Sequence, residues 1–353
     1  KIMKVIYVAQ FSTSHDRDNI WLESFKRSGL EVIPFPIFDS YEKSLKGVTG
    51  KLYARFHFGS VMNALRSDLI RLVNRESPDW IHFRLPLHFD ALTLMKLKST
   101  GAILTCYYND DPFSSKRVFG LHHLFIKSIP VYDAHFVFRK KNISEFLRNG
   151  AKYVEHCPPF YDQKTHNFGV IEDRQYRFDA VFIGHWENDS RMSYIELLVS
   201  AGYKVKVAGS IWDKAVKLSI LKSIAPFTPV FGKEYSRIYR NAWAGLCFFS
   251  KINNDTWTRR PLEIIASGGL LVCERTDEAE TFFRDRKEAY FFSSKSELLS
   301  IMKSIKKYPD QAEQVRKQGY SRLLSGVNSI DDRVVSIEKN VQRIRRNNEK
   351  IKH

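Results

Sequence analysis

Short apolar runs rich in β-branched residues alternate along this chain with longer stretches of helical periodicity. The first run is 5–9, a helical stretch over 20–28 ends at Gly29, and a second apolar run follows at 31–35. A strand, a helix, a glycine stop and a second strand in this order are typical of a βαβ unit with a parallel sheet. The sequence therefore predicts an α/β fold.

The same alternation occurs twice, which predicts two domains. The first series continues through predicted strands at 80–83, 103–108 and 134–138. After Pro158-Pro159 the chain turns polar as far as about residue 176, and a new series begins with a predicted strand at 179–184. We expect Rossmann-like domains over 1–165 and 166–330, followed by a basic amphipathic helix over 331–353. Ligands of such domains bind at the carboxyl ends of the strands.

Composition narrows the class of protein further. Of the 353 residues, 43% are hydrophobic and 14% aromatic, which is enough for full cores and excludes a disordered chain. The 56 Lys and Arg exceed the 39 Asp and Glu by 17 charges. Such a surplus favours polyanionic partners, namely nucleic acid, an anionic membrane face or phosphorylated small molecules.

The four cysteines predict reduced, buried thiols in a cytoplasmic protein. Cys106, Cys157, Cys247 and Cys273 form no C-x-x-C pair and no zinc-like cluster, and three of them lie in apolar runs. The longest apolar stretch, 264–273, has about half the length that a membrane span needs.

The segment 253–269 combines features of a phosphate site and a ribose site. It follows a predicted strand and opens a helix with Pro261 in its first turn. Arg259 and Arg260 lie beside the helix start, and Glu263 lies one turn in. The backbone near Thr258 is a further candidate phosphate donor. A helix N-terminus favours anions, arginine binds phosphate with two donors, and a carboxylate accepts vicinal sugar hydroxyls. Each feature alone also fits an ordinary helix start, but the combination favours phosphate-plus-ribose binding.

Residues 239–274 resemble the donor-binding region of GT-B glycosyltransferases, in particular CgeB-like (spore-maturation-type) ones. Group 1 members of this fold carry an E-x(7)-E motif in that region. Glu263 matches the second glutamate, which holds the nucleotide ribose in the family. Asp255 stands at the first position and is one methylene shorter.

A second resemblance covers residues 182–191, which are similar to the F-[IV]-G…R opening of the C-terminal domain in CgeB-like chains. Gly184 and Arg191 match this pattern, and His185 stands where group 1 enzymes often have arginine. In the family, the glycine lets the backbone approach the diphosphate and nearby basic side chains neutralise it. A weaker match is the Y-Y-N-D-D-P run that contains Asp110 and Asp111.

The resemblance implies a GT-B fold with two Rossmann-like domains facing across a cleft and a C-terminal helix that returns toward the N-terminal domain. It implies a glycosyltransferase that uses a nucleotide-sugar and acts on a glycan or lipid-linked acceptor in bacterial surface polysaccharide assembly. We expect no essential metal, because Asp110 and Asp111 lack D-x-D spacing. The family leans toward retention, whereas an inverting enzyme would need a general base such as Asp110, Asp111 or His15.

The tail admits two interpretations. Apolar residues from Val334 to Ile351 recur at spacings of 3, 4, 3 and 7, and residues 338–353 hold six Lys or Arg against two Glu. This pattern indicates either a helix packed on the body or an amphipathic helix that contacts a partner helix or the inner face of an anionic membrane.

A non-enzymatic polyanion-binding protein of Rossmann-like fold stays open as an alternative function. The basic charge supports it. However, Lys and Arg are spread along the whole chain and aromatic RNA-recognition motifs are absent, so we expect no nucleic-acid partner.

Overall fold

The computed structural model describes residues 2–11, 17–37, 50, 55–114, 120–166 and 176–351. It divides into two compact units, Lys1–Pro158 with Ile330–His353, and Pro159–Ser329. The chain passes from one unit to the other after Pro158, where the sequence predicted a boundary after 165. The C-terminal helix belongs to the first unit.

The first unit contains a six-stranded parallel sheet covered by helices. Its strands are β1 (Lys4–Ala9), β2 (Glu31–Pro36), β3 (Trp80–Arg84), β4 (Ile103–Tyr108), β5 (Ala134–Val137) and β6 (Val154–His156), in the order β2-β1-β3-β4-β5-β6. Its helices are α1 (Arg17–Arg27), α2 (Ser60–Glu76), α3 (Ala91–Lys98), α4 (His123–Ser128), α5 (Lys140–Arg148) and, after the second unit, α13 (Ile330–Ile351), with a 3₁₀ turn at Ile129–Val131. All six residues of β4 are buried, as expected for a parallel strand with both faces covered.

The second unit contains a five-stranded parallel sheet. Its strands are β7 (Phe178–Ile183), β8 (Val205–Ala208), β9 (Ala242–Cys247), β10 (Leu271–Glu274) and β11 (Tyr290–Phe292), in the order β11-β10-β9-β7-β8. Its helices are α6 (Arg191–Ser200), α7 (Trp212–Ala215), α8 (Gly232–Arg240), α9 (Arg259–Ala266), α10 (Asp277–Phe282), α11 (Lys295–Lys307) and α12 (Pro309–Leu324), with a 3₁₀ turn at Ile220–Ile224.

The strand order of each sheet places one crevice where the direction of winding reverses. In the second unit, β7 lies between β8 and β9, with Ala180 in register with Val205 on one side and Ala244 on the other. In the first unit, β1 lies between β2 and β3. Ligands of open α/β sheets bind outside the carboxyl ends of the strands at this switch point. These crevices are therefore bordered by the loops after β7 and β9 in the second unit and after β1 and β3 in the first.

The C-terminal helix α13 packs its apolar side against the first unit. Val334, Ile337 and Val341 are buried, and Asp331 accepts hydrogen bonds from Ser24 (2.6 Å) and Arg27 (2.6 Å) of α1. The packed interpretation of the tail therefore holds as far as Val341, and this apolar face is not available to a membrane. Within the described ranges, no helix combines the length and the hydrophobicity needed to cross a bilayer.

Three buried histidines make the first unit sensitive to acid. Burial lowers the pKa of His82 and His88 to about 3 and that of His135 to about 4. Near the side-chain pKa of 6.5 and below, the unfolded chain binds protons that the folded unit does not, so the free energy of unfolding falls as the pH falls.

We expect urea unfolding of the first unit to lose about 2 kcal/mol per buried histidine between neutral pH and pH 5. His82→Gln removes one of the three protonation sites and should lower the slope of unfolding free energy against pH, whatever it does to stability at neutral pH. An unfolding free energy that stays constant over this range would contradict the prediction.

Candidate functional site

The backbone at Gly184 is held in place at the carboxyl end of β7. Trp212, at the start of α7, donates a hydrogen bond from Nε1 to the Gly184 carbonyl at 2.7 Å. Gly209 follows β8 with φ of 150°, and a Cβ there would overlap the Gly184 carbonyl. Only glycine fits at 209, so β7 and β8 end in two backbone segments in direct contact.

Arg260 lies against Gly184 on the other side. A Cβ on Gly184 would overlap the Arg260 Nη1 atom, and the guanidinium sits 5.2 Å from the centre of the Phe182 ring. Burial disfavours the charge, but nearby Tyr239 and Tyr235 raise the pKa of Arg260 above its usual value. The structure thus brings together two residues that the sequence predicted as parts of one site.

The carboxylate of Glu263 raises the pKa of Arg260 without forming an ion pair with it among the described residues. In the described part of the chain the guanidinium forms no ion pair within 4 Å, and its buried Nε has no hydrogen-bond partner. A partly buried cation without a counter-charge is costly, and an anion bound at this position would remove that cost.

Helix α9 adds a second positive feature at the same place. It begins at Arg259, with Thr258 as an extended N-cap residue whose side chain makes no capping hydrogen bond. Pro261 lies in the first turn, as the sequence predicted. The N-cap side chain therefore leaves the first backbone N–H groups of the helix uncapped, and the helix dipole favours negative charge there.

Glu263 lies one turn along α9, where two side chains fix its carboxylate. The Tyr235 hydroxyl donates to Oε2 at 3.1 Å, and Arg259 Nη2 lies 2.9 Å from Oε1. Arg259 in turn lies over the Phe160 ring, 4.4 Å from its centre. The sequence predicted Glu263 and Arg259 but missed Tyr235, which lies on α8, 28 residues before the glutamate.

Arg191 is part of a buried ion-pair network. Its side chain is 3% exposed and lies 2.7 Å from Asp189 and 3.2 Å from Glu187. Burial acts to raise the pKa of Glu187, but hydrogen bonds from His185 and Ser250 and the charge of Arg191 lower it to about 2. Arg191 is thus the buried side chain that stabilises the loop after Gly184. The His185 ring is exposed, and its Nε2 atom lies 3.1 Å from the Glu187 carboxylate.

Asp255 lies in the loop between β9 and α9. Its backbone N–H donates to the Ser250 carbonyl at 2.9 Å, and the preceding Asn254 has a φ of 50°. The side chain of Asp255 is partly exposed. The loop therefore has a defined turn that ends three residues before the Thr258 N-cap of α9.

The acidic residues predicted in the first unit follow β4. Asp111 is buried, pairs with Lys141 and accepts a hydrogen bond from Asn142 at 3.0 Å. Burial acts to raise the pKa of Asp111, but these partners lower it. The adjacent Asp110 is partly exposed. His15 lies outside the described residues.

A buried ion pair that the sequence did not predict occupies the switch point of the first sheet. Arg84 ends β3 and pairs with Asp18 of α1, and Asp18 also accepts a hydrogen bond from the Phe11 backbone at 3.0 Å. The sequence signal that could have indicated this pair is Arg84, a charged residue directly after the strand predicted at 80–83. In the described ranges, no group of three or more His, Cys, Asp or Glu side chains could hold a metal ion.

Arg191→Met should destabilise the protein by about 3–5 kcal/mol, because it leaves Glu187 and Asp189 buried without their counter-charge. The matched control is Arg237→Met, which breaks the half-exposed pair with Glu234 and should cost about 0–1 kcal/mol. Urea unfolding curves compare the two variants. Equal midpoints would show that Arg191 does not stabilise the loop.

Comparisons with known proteins relate this chain to one family model and to one class of fold. Residues 192–339 match a family model described as glycosyl transferase-like. No curated protein sequence gives a significant match.

Several solved structures have a similar fold. HepE from Anabaena, crystallised with UDP-glucose, has a TM-score of 0.67 at 11% identity, covering 97% of this chain and 100% of its own. Sucrose-phosphate synthase from Thermosynechococcus elongatus has a TM-score of 0.64 at 10% identity, covering 97% and 99%. A trehalose-6-phosphate synthase, from work on glycosyl transfer with retention, has a TM-score of 0.62 at 12% identity, covering 96% and 99%.

These similarities confirm the predicted architecture of two parallel sheets with helices. At such low identity the structures establish the fold, and the match over 192–339 adds a sequence relation for most of the second unit. The chain therefore has the GT-B fold, and most of its second unit matches a model described as glycosyl transferase-like.

Proposed function

We propose that this protein transfers a sugar from a nucleotide-sugar donor to an acceptor. The observation that carries the proposal is Arg260, a cation without an ion-pair partner among the described residues, placed against Gly184 at the start of α9. Glu263 follows on the same helix. A diphosphate next to a ribose has the charges and hydroxyls that such a pair of side chains recognises.

Each residue has a distinct role in this proposal. Arg260 and the first N–H groups of α9, after Thr258, bind the diphosphate, while Gly184 leaves room for the Arg260 guanidinium. Glu263 accepts the ribose hydroxyls, and Arg259 holds the carboxylate in position. Outer contacts to the sugar are assigned to His185 and Asp255. Arg191 supports the loop rather than touching the donor.

The charges of the reaction fit this arrangement. Breaking the bond between sugar and diphosphate develops negative charge on the departing diphosphate and positive charge at the anomeric carbon. Preorganised donors at the diphosphate stabilise that negative charge as it forms. Arg260 and the α9 dipole supply this stabilisation, so the proposed reaction needs no metal ion.

The acceptor side of the proposal rests on the first unit. We assign acceptor binding to the loops after β1, β3 and β4, with Asp110 or Asp111 as the base if the reaction inverts. Asp111 suits this role less well, because it is buried and already paired with Lys141. Retention is the favoured outcome, in keeping with the similar fold of a trehalose-6-phosphate synthase studied for that mechanism.

The finer identity follows the sequence resemblance. We propose a CgeB-like hexosyltransferase of bacterial surface polysaccharide or glycoconjugate assembly, with a glycan or lipid-linked acceptor. It would act in the cytoplasm, at the inner face of the membrane. Because the apolar side of α13 is buried as far as Val341, we assign membrane contact of the tail to exposed cations such as Lys339, Arg346 and Lys350.

Two substitutions test the donor site by calorimetry with UDP. Glu263→Ala should weaken binding by about 1–3 kcal/mol, because sugar hydroxyls lose their acceptor. Gly184→Ala should weaken it at least about tenfold, because the new methyl group displaces the Arg260 guanidinium. Arg237→Met, on the outer side of α8, serves as the control and should bind like the wild type. Unchanged affinity in both folded site variants would refute the assignment.

Hydrolysis of UDP-, GDP-, dTDP- and CMP-sugars tests the reaction itself and identifies the donor. We expect turnover with one nucleotide class, and we expect it to persist in excess EDTA because Arg260 and α9 neutralise the diphosphate. Complete loss of turnover in EDTA, restored by manganese or magnesium, would contradict the metal-independent part of the proposal.

A further inference from the structure

Residues 211–222 of the second unit expose apolar side chains at close spacing. Ile211 is 51% exposed, Leu218 103% and Ile220 47%. Single exposed apolar residues are common on soluble proteins. Three large ones within ten residues form a patch, which calls for an explanation.

The segment is anchored, so this exposure does not result from poor packing. Trp212, Val216 and Leu221 are buried in the core of the second unit. Ser219 accepts a hydrogen bond from the Leu221 backbone at 3.0 Å and donates one to Glu196 at 2.6 Å. The turn that contains Leu218 is therefore held by buried neighbours on both sides, and the Leu218 side chain points into solvent.

Lysines surround the exposed apolar side chains. The twelve residues 211–222 contain Lys214, Lys217 and Lys222, all exposed, and Asp213 is the one acidic residue among them. Apolar side chains that alternate with lysines match an anionic bilayer surface, where acyl chains accept the former and headgroup phosphates pair with the latter. An apolar groove of another protein would complement the aliphatic residues but not the lysines around them.

We propose that residues 211–222 form a membrane-contact segment that inserts Leu218 and Ile220 into the interface of an anionic bilayer. The segment begins at the donor site, because Trp212 holds the Gly184 carbonyl. Membrane contact here would place the edge of that site at the level of the lipid headgroups. The inference does not depend on glycosyl transfer, since it rests on the exposure and charge of the segment alone.

A fluorescent label at Leu218 tests the contact directly. All four native cysteines are buried, so Leu218→Cys provides the accessible thiol for an environment-sensitive dye. The matched control is Leu324→Cys at the end of α12, which is also exposed (55%) and lies in the same unit. With vesicles of phosphatidylcholine containing phosphatidylglycerol, we expect a blue shift at 218 and none at 324. Pure phosphatidylcholine vesicles should give little shift at either position.

A charge-reversal variant separates this segment from the tail. Lys214→Glu with Lys217→Glu and Lys222→Glu should lower co-sedimentation with the anionic vesicles at least about tenfold at low salt. Reversal of Lys339, Arg346 and Lys350 on α13 should lower it less.

Three results would overturn the proposal. The first is absence of binding to anionic vesicles, and the second is vesicle binding without a blue shift at 218. The third is a shift that grows with protein concentration in the absence of lipid, which would assign the segment to contact between two copies of the chain.

Discussion

The close approach of the Arg260 guanidinium to the backbone at Gly184 is the contact on which the candidate site depends. It requires a residue without Cβ at the end of β7 and a helix that starts beside that strand. The position of the helix follows from the strand order, because β9 lies next to β7 and the chain enters α9 from β9. The glycine is supplied by the sequence at position 184. The same contact leaves the cation without a carboxylate within 4 Å among the described residues, and the proposed diphosphate would supply a closer negative charge.

Two arginines near the same loop differ in what surrounds them. Arg191 is enclosed by Asp189 and Glu187, and its charge is used to stabilise the fold. Arg260 meets tyrosines and a glycine instead, so its charge is available to a ligand. Within a single unit, the distribution of carboxylates thus separates an arginine that supports the loop from an arginine suited to binding.

Packing also distinguishes the two candidate membrane-contact surfaces, which are the tail and residues 211–222. The tail has an apolar stripe that fits a membrane, but Val334, Ile337 and Val341 use that stripe to bind the first unit. Three exposed apolar side chains lie close together in 211–222, a segment with no long periodic pattern. The amphipathic pattern of the tail therefore does not identify the membrane-contact surface, because its apolar face is buried against the first unit.

Three features could be predicted from the amino-acid sequence alone. They are the alternation of strands and helices, the division into two α/β units, and the position of Glu263 and Arg260 at a helix start. Local signals suffice for these, because hydrophobic periodicity, glycine stops and helix-start residues act over a few positions. The three-residue edge strands β6 and β11 were too short to give such a signal. Other features are visible only in the folded chain. Tyr235 donates a hydrogen bond to Glu263, and carboxylates surround Arg191. Arg84 pairs with Asp18, and α13 packs against the first unit. Those outcomes depend on contacts between residues distant in sequence, and the charge of an arginine does not reveal which carboxylates the fold will bring to it.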